Sequence, residues 1–447
     1  MKKIIALLLA LVMAFGLVAC GGSTTTETQA AAAAPAETEA AAPAAEGSVY
    51  WLNFKPEADA GLQEIAAMYT EETGVPVKVV TAASGTYDQT LTAQMDKSDA
   101  PTLFVCGDAA AVQMWGDYCY DLTGTPIAEE RSGDAYMLYD EDGKLCSLGY
   151  CYECFGIIVN VPLLEKAGYT KDYITNYATL KEVVEDITAR SEELGFKAFT
   201  SSGMDGSSSW RFTGHLINAA YYWEYVEDPS RWIECPPSIE GTYMDNYKQL
   251  YDLIVTNSTV DRAELANGGF DACAEFANGE AVFYVNGSWE WPNLLAAGVA
   301  AEDVHMIPYY CGVEGEENIG LNAGTENYWA VNSEADEEDI QATLDFMYWL
   351  VTDAEASEKA VAAFGVMPYK NAVESANPFY VSANGYLTKG CDVMETVCNF
   401  QPNVDAYRAT VVSAMNDYNA NPSDATWEAV EAAYVAGWAT QFAATQG

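Results

Sequence analysis

Tryptophan, asparagine and carboxylate side chains stand at the ends of several short apolar runs that the sequence predicts to be strands. Trp51 and Asn53 end the first run, Asp108 follows the third, and Trp289 follows a later one. In α/β folds, ligands bind at strand ends and on the loops after them. A flat indole covers the C–H face of a sugar ring, and a carboxylate or amide bonds the hydroxyls around it. These residues therefore predict a site for a neutral, polyhydroxylated ligand.

Four further residues have the same chemistry in less informative positions. Trp210 closes a Gly/Ser-rich loop, Glu153 precedes an apolar run, and Trp329 lies inside a short predicted strand. Asp88 begins a predicted helix, where a carboxylate also stabilises the helix N-terminus. The structural alternative stays open for all four, because tryptophans also pack in cores and acidic side chains are usually solvated.

Motifs of known catalytic sites are not evident. The chain has two histidines, His215 and His305, and no Gly-x-Ser-x-Gly, His-Glu-x-x-His, P-loop or Gly-x-Gly-x-x-Gly sequence. A carboxylate pair of the glycosidase type stays open, since 66 acidic residues supply many chance pairs. We expect a non-enzymatic binding protein without a cofactor. A secreted two-domain carbohydrate-active enzyme is the alternative.

The cysteines raise the question of a metal or of disulfides. Cys151 and Cys154 have the spacing of a zinc or redox pair. A structural zinc site normally has a second Cys/His pair at matching spacing, and none is evident, so we expect no metal. Which of the cysteines after Cys20 pair with one another cannot be read from the sequence.

The chain is strongly acidic, with a formal net charge of −46 from 20 basic and 66 acidic residues. Such a surface repels the phosphate backbone, so we expect no nucleic-acid partner. The acidity suits a highly soluble protein and does not bear on the fold. It also keeps a cationic ligand such as a polyamine open as an alternative to a neutral one.

The N-terminus carries a predicted targeting signal. Two lysines precede an apolar run at 4–19, which is shorter than the roughly 20 residues that a membrane-spanning helix needs. We therefore predict a secretory signal at 1–19. The residues around Cys20 resemble the bacterial lipobox, which implies a lipid on Cys20. From 21 to 47 the chain contains Gly, Ser, Thr, Glu, Gln, Ala and Pro alone, so 20–47 is predicted to be a flexible, lipidated tether.

The part after the tether is long enough for two domains, because single cores seldom grow beyond ~250–300 residues. Its first stretch alternates predicted strands and helices, which indicates a parallel sheet covered by helices. The predicted elements of this stretch are strands at 49–52, 75–80 and 101–106 and helices at 57–72 and 87–97. Asp140 to Gly143 predicts a hairpin turn, and the chain ends in predicted helices at 405–418 and 424–442.

Four segments in this order carry a family resemblance: Tyr152–Asn160, Phe276–Asn293, Thr325–Val331 and Phe364–Pro368. With them, the chain resembles the sugar-type bacterial extracellular solute-binding proteins, the family of the maltose-binding protein. The longest match has an aromatic residue, a glycine, a short strand and then Gly-x-Trp. The resemblance implies that Glu153 is a sugar-contacting carboxylate.

The resemblance also implies a two-lobe α/β fold of the type II periplasmic-binding-protein kind, with a ligand cleft between the lobes. Each lobe would be a mostly parallel sheet flanked by helices. Lobe 1 would comprise 48–155 and 301–350, and lobe 2 would comprise 156–300 and 351–447. The ligand-binding residues are then expected to be Trp51, Asn53, Asp88, Asp108, Glu153, Trp210, Trp289 and Trp329.

The function that the resemblance implies is capture of a solute by hinge closure. The ligand would be a carbohydrate, in particular an oligosaccharide, and the partners would be the transmembrane subunits of an ABC permease. We expect a monomer that Cys20 anchors to the outer face of the cell membrane.

Overall fold

The computed structural model describes residues 46–133, 136–325 and 327–445. The predicted signal at 1–19, the predicted lipidation site Cys20 and most of the predicted tether lie outside these residues. In the part that is described, no helix is both long enough and apolar enough to cross a membrane.

Strands and helices alternate along the described chain. The strands are β1 (Val49–Asn53), β2 (Val77–Thr81), β3 (Leu103–Val105), β4 (Met137–Tyr139), β5 (Leu145–Gly149), β6 (Glu153–Asn160), β7 (Lys197–Phe199), β8 (Ala281–Gly287), β9 (Val304–Ile307), β10 (Ile319–Gly324), β11 (Tyr328–Val331) and β12 (Asp392–Glu395). The α-helices are α1 (Asp59–Thr73), α2 (Tyr87–Met95), α3 (Ala109–Trp115), α4 (Pro126–Glu129), α5 (Val161–Ala167), α6 (Tyr177–Ala189), α7 (Ser191–Leu194), α8 (Asn218–Glu227), α9 (Met244–Thr256), α10 (Ala272–Ala277), α11 (Trp291–Ala296), α12 (Glu337–Thr352), α13 (Ala354–Phe364), α14 (Pro378–Thr388), α15 (Val404–Ala420) and α16 (Asp424–Thr445).

Lobe 1 is built on a sheet with strand order β2-β1-β3-β11-β5-β4. Every residue of β1 is buried: the strand lies between β2 and β3, and Trp51 packs against Phe346 of α12. Its core contains Trp51, Phe104, Trp329 and Phe346.

Lobe 2 is built on a second sheet, with order β12-β10-β6-β8-β7, and β9 also pairs with β6. Its largest core cluster extends from β6 and β8 to the C-terminal helices, where Tyr407, Tyr434 and Trp438 are buried. The α15 and α16 helices thereby belong to this lobe.

Both sheets are mixed, so the prediction of mostly parallel strands is wrong. β1 runs parallel to β2 and β3, but β11 runs antiparallel to both β3 and β5. In lobe 2, β6 is antiparallel to β8, β9 and β10. The physical reason is the connection between lobes: β5 leaves lobe 1 where β11 enters it, and β6 enters lobe 2 where β10 leaves it. Strands that carry the chain in opposite directions across one junction pair antiparallel.

The lobe boundaries also differ from the predicted ones. β9 and β10 hydrogen-bond to β6, so the chain at 304–324 belongs to lobe 2 rather than lobe 1. The helix α13, predicted for lobe 2, places Ala360 and Phe364 in the lobe 1 core. Three segments connect the lobes: 150–152, 325–327 and 365–377.

A turn and a helix start in these lobes follow from local sequence signals. The hairpin turn at 140–143 is confirmed, since β4 and β5 pair antiparallel around it. The α6 helix begins at Tyr177 because Asn176 caps it: the Asn176 side chain accepts a hydrogen bond from the Thr179 backbone N–H at 2.9 Å.

Candidate ligand-binding site

A cavity of about 440 Å³ lies between the lobes. This volume is within the usual range for small-molecule sites. Lobe 1 lines it from the segment after β1, the start of α2 and the helix α3, and lobe 2 lines it from the segment before α15 and the end of α16. The main lining residues are Phe54, Tyr87, Asp88, Asp108, Gln113, Met114, Trp115, Asn399, Gln401, Asn403, Arg408 and Thr445.

The lobe 1 wall is aromatic. Phe54 is 42% exposed, and its ring meets that of Tyr87 edge-on with centroids 5.4 Å apart. The Tyr87 hydroxyl accepts a hydrogen bond from the Val105 N–H at 2.7 Å and donates one to the Leu52 carbonyl at 3.3 Å. Because these bonds fix Tyr87 to β1 and β3, the neighbouring Phe54 ring is held at the cavity with apolar surface exposed to a ligand.

The lobe 2 wall is polar and oriented by its own hydrogen bonds. The buried Gln401 amide donates to the Thr213 carbonyl at 2.8 Å and accepts from the Arg408 Nε at 2.8 Å. Asn403 is in the left-handed region at φ 45° and donates to the Gln441 amide oxygen at 2.7 Å. A non-glycine residue in this conformation is strained, and such strain concentrates at functional sites. The wall therefore offers a pre-positioned guanidinium and amide groups.

Two of the predicted acidic residues line this cavity. Asp108 also caps α3, and its carboxylate accepts the Ala111 N–H at 2.7 Å. Asp88, in the first turn of α2, faces Asp405 and Arg408 of the other lobe. Burial and the Asp405 charge raise the pKa of Asp88 from 3.8 to about 6, and Arg408 opposes this shift. The Asp88 side chain keeps contact with solvent, which screens part of this effect.

Replacing Asp88 with Asn should therefore remove a pH-dependent loss of stability. An acid whose pKa is higher in the folded protein binds more protons there than in the unfolded chain, so stability falls as the pH rises through 3.8 to 6. The melting temperature of Asp88→Asn relative to wild type should increase over this window and level off above it. Asp96→Asn, an exposed change at the other end of α2, is the control; a difference for Asp88→Asn that does not vary with pH would contradict the assignment.

A buried ion pair lies at the base of the cleft, where the lobes join. The Lys55 ammonium is 2.7 Å from a Glu153 carboxylate oxygen and 3.0 Å from a Glu57 oxygen. The other Glu153 oxygen accepts the Asn327 amide at 3.1 Å. Burial alone would lower the pKa of Lys55, but the carboxylates of Glu153 and Glu57 raise it well above its usual range. The pair connects the segment after β1 in lobe 1 to the start of β6 in lobe 2, and Asn327 of an interlobe segment bonds to it.

An aromatic group from lobe 2 adjoins this ion pair. The half-buried Trp289 lies with its ring centroid 5.8 Å from that of Trp210 and 5.1 Å from that of His215, and the Lys55 ammonium is 5.9 Å from the Trp289 ring. A Cβ at Gly287 would lie 2.2 Å from the Trp289 ring. Glycine at 287 therefore permits Trp289 to fold back onto the strand end and present its ring beside Lys55. His215 packs among these rings, stacked on Phe155 at 4.3 Å.

The remaining predicted site residues are core residues, which corrects three predictions. Trp51 and Trp329 are fully buried and pack edge to face at 5.7 Å, so neither has a ring face available to a ligand. Asn53 is also fully buried, and its amide closes the turn after β1 through the Lys55 backbone and the Thr81 hydroxyl. The residues that follow β1 and β3 line the cavity, but Trp51, Asn53 and Trp329 do not.

Several cavity residues are not among those that the sequence predicts. Phe54 stands one residue beyond Asn53, so its position after a strand is the same signal that favours Asn53. Gln401, Asn403 and Arg408 lie about 350 residues later in the chain, in a stretch without a distinctive local pattern. These residues reach the cavity because of the way the two lobes meet.

Sequence comparison identifies one family. The model of the family described as "Bacterial extracellular solute-binding protein" matches residues 64–385. A search of curated proteins gives no match.

Similar solved structures include three solute-binding proteins. The binding protein RafE in complex with raffinose has 14% identity and a TM-score of 0.68, with 90% of this chain and 100% of that chain covered. A chitin oligosaccharide binding protein has 16% identity and a TM-score of 0.66, with 89% and 99% covered. The GacH receptor of Streptomyces glaucescens, solved unliganded and with acarbose, has 18% identity and a TM-score of 0.63, with 90% and 98% covered. These similarities establish the two-lobe, type II fold.

Proposed function

The chain belongs to the bacterial extracellular solute-binding proteins, and from this premise we propose that it captures an oligosaccharide outside the cytoplasm and delivers it to the permease of an ABC importer. The observation that carries the proposal is the interlobe cavity of about 440 Å³, with an aromatic wall from one lobe and an amide and guanidinium wall from the other. Capture of this kind requires binding and release, without a reaction on the ligand.

The two walls match the two surfaces of a sugar. The exposed ring of Phe54 and the side chain of Trp115 suit the C–H face of a pyranose, while Asp88, Asn399 and Arg408 suit its hydroxyls. Hydrogen bonds that connect a ligand to both walls would hold the lobes together. The energy of binding would thus favour the closed arrangement.

Contacts at the rim of the cleft are consistent with a closed arrangement. The Ser84 hydroxyl of lobe 1 donates to the Ser207 carbonyl of lobe 2 at 3.3 Å. We propose that these loops separate when the lobes open about the crossing segments, as in hinge-bending binding proteins. The closed pair of lobes would be the surface that the permease recognises.

The N-terminal segment would hold the protein at the membrane. We propose that Cys20 becomes lipidated after removal of residues 1–19 and that 20–47 acts as the tether. One acyl chain binds a membrane weakly, so stable anchoring would need more than one chain. The protein would act as a monomer.

A ligand screen by thermal shift tests the proposed function. A ligand that binds the folded state alone stabilises it by about 2.7 kcal/mol at a hundredfold excess over Kd. We expect a raised melting temperature with at least one of raffinose, maltotriose, chitotriose and xylotriose. Spermidine is included in the screen to test for a cationic ligand. A shift with spermidine and none with any saccharide would overturn the carbohydrate assignment, and release of reducing ends would favour the enzyme alternative.

Phe54→Ala should weaken binding of whichever saccharide gives the shift. Burying an aromatic side chain against a ligand is worth ~1.5–3 kcal/mol, so Kd should rise about ten- to hundredfold. The matched control is Tyr139→Ala, an exposed aromatic residue on β4 outside the cavity lining. Titration calorimetry measures both variants. Equal affinities for Phe54→Ala and wild type would place the ligand elsewhere.

A further inference from the structure

One tyrosine hydroxyl joins two of the interlobe segments. Tyr380, on α14 of lobe 2, is buried, and its hydroxyl donates to the Tyr152 carbonyl at 2.7 Å. The same oxygen accepts the Val366 N–H at 3.3 Å. Tyr152 and Val366 also pair with each other as an isolated antiparallel bridge. The hydroxyl therefore ties both segments to lobe 2 at one point.

The same oxygen also reaches the residue before Trp289. The Ser288 hydroxyl lies 3.2 Å from the Tyr380 hydroxyl, and because the Tyr380 proton is directed to Tyr152, Ser288 is the donor here. Ser288 in turn accepts the Cys154 N–H at 3.1 Å, and its carbonyl accepts the Asn377 amide at 2.7 Å. A continuous hydrogen-bonded path thus connects the aromatic group beside Lys55 to the interlobe segments.

Neighbouring residues of these segments are fixed to the opposite lobe. Tyr150 stacks on Trp329 in the lobe 1 core, with centroids 4.6 Å apart, and Met367 is buried in the same core. Val366 lies between the lobe 1 core residues Phe364 and Met367, so its bond to Tyr380 crosses from one lobe to the other. Rotation of one lobe against the other must then be absorbed between Tyr150 and Tyr152 and at the contact of Val366 with Tyr380. The Tyr380 hydroxyl marks the lobe 2 side of both points.

A glycine at 365 lets the Tyr380 hydroxyl lie close to the backbone. Gly365 has φ +86°, and a Cβ there would lie 2.2 Å from the Tyr380 hydroxyl oxygen. Glycine at 365 thus serves both the backbone conformation and the approach of the hydroxyl to Val366.

We propose that Tyr380 is a positioning residue that couples the Trp289 loop to the hinge: its hydroxyl sets where the interlobe segments bend and keeps the Ser288–Trp289 loop in register with them. The hinge role rests on interlobe contacts alone. The effect on ligand affinity rests in addition on the proposed function.

Hydrogen exchange of the full mature protein without ligand tests the hinge role. In Tyr380→Phe we expect exchange about five- to tenfold faster in peptides covering 150–154 and 365–367, as loss of one net hydrogen bond predicts. Peptides from β1 and β2 should be unchanged. Small-angle scattering of the same variant should show a larger radius of gyration, because the lobes open more often. Tyr386→Phe is the matched control. It also removes a tyrosine hydroxyl from α14, but that hydroxyl bonds to Tyr310 and not to the interlobe segments.

A double-variant cycle distinguishes coupling from simple loss of packing. Gly365→Ala should raise exchange at 365–367 by itself, through strain at positive φ and contact with the hydroxyl. In the Tyr380→Phe background the 2.2 Å contact with the hydroxyl disappears and the ring carbons at 3.1 and 3.2 Å remain, so the added effect of Gly365→Ala should be smaller. Additive effects, or Tyr380→Phe exchange and radius of gyration equal to wild type, would overturn the proposal. Altered hinge exchange in a protein that binds none of the saccharides would leave the hinge role standing while the ligand assignment falls.

Discussion

Lys55→Met should lower the free energy of unfolding by about 3–5 kcal/mol. The Lys55 side chain is 4% exposed and contacts the Glu153 carboxylate at 2.7 Å. Removing the ammonium leaves the Glu153 charge buried and without its cation, which costs far more than the loss of an exposed ion pair. Urea unfolding followed by far-UV circular dichroism measures the change.

Two further variants show whether buried charge is the cause. Lys55→Met combined with Glu153→Gln removes both charges and keeps an acceptor for the Asn327 amide, so it should regain more than half of the loss. Lys181→Met breaks the exposed Lys181–Glu185 pair on α6 and should change stability by less than about 0.5 kcal/mol. A double variant as unstable as Lys55→Met would mean that the methylene packing of Lys55, rather than the charge, is what matters.

This ion pair shows what the sequence could and could not predict about the site. The family resemblance predicts Glu153 as a ligand-contacting carboxylate. The structure places the Lys55 ammonium against it, and no sequence pattern predicts this partner. The ion pair changes the chemistry that is expected of Glu153. Each oxygen of this buried carboxylate already has a partner, Lys55 on one and Asn327 on the other, so sugar hydroxyls would have to use its remaining lone pairs. Pairing across the interlobe junction is a tertiary property, which no local pattern reports.

The strands were predictable because their patterns are local. β1, β3 and β11 are short apolar runs bounded by polar residues, and the predicted runs contain them to within one or two residues. The direction of the strands next to the interlobe segments was not predictable. It depends on the lobe from which the chain enters each strand. The same dependence misplaced β9, β10 and α13 between the lobes.

Side-chain direction at the strand ends could not be predicted for a similar reason. In a strand with one solvent face, alternate residues are exposed and the pattern shows which. All five residues of β1 are buried, so Trp51 gives no signal of the face on which it lies. The first exposed aromatic residue comes only after the strand, at Phe54.

Trp329→Ala should destabilise the protein by about 3–5 kcal/mol, because it removes a fully buried indole and leaves a cavity in the lobe 1 core. The Trp329 ring stacks on Tyr150 at 4.6 Å and meets Trp51 at 5.7 Å, so its loss also loosens the lobe 1 end of an interlobe segment. The comparison is Trp289→Ala, which truncates a half-buried indole beside Lys55 and should cost less stability. If Trp329 acted as a ligand-stacking residue, Trp329→Ala would instead keep wild-type stability and weaken saccharide binding. Urea unfolding of both variants, followed by circular dichroism because each removes a fluorophore, decides between packing and stacking for a tryptophan whose sequence context fits either role.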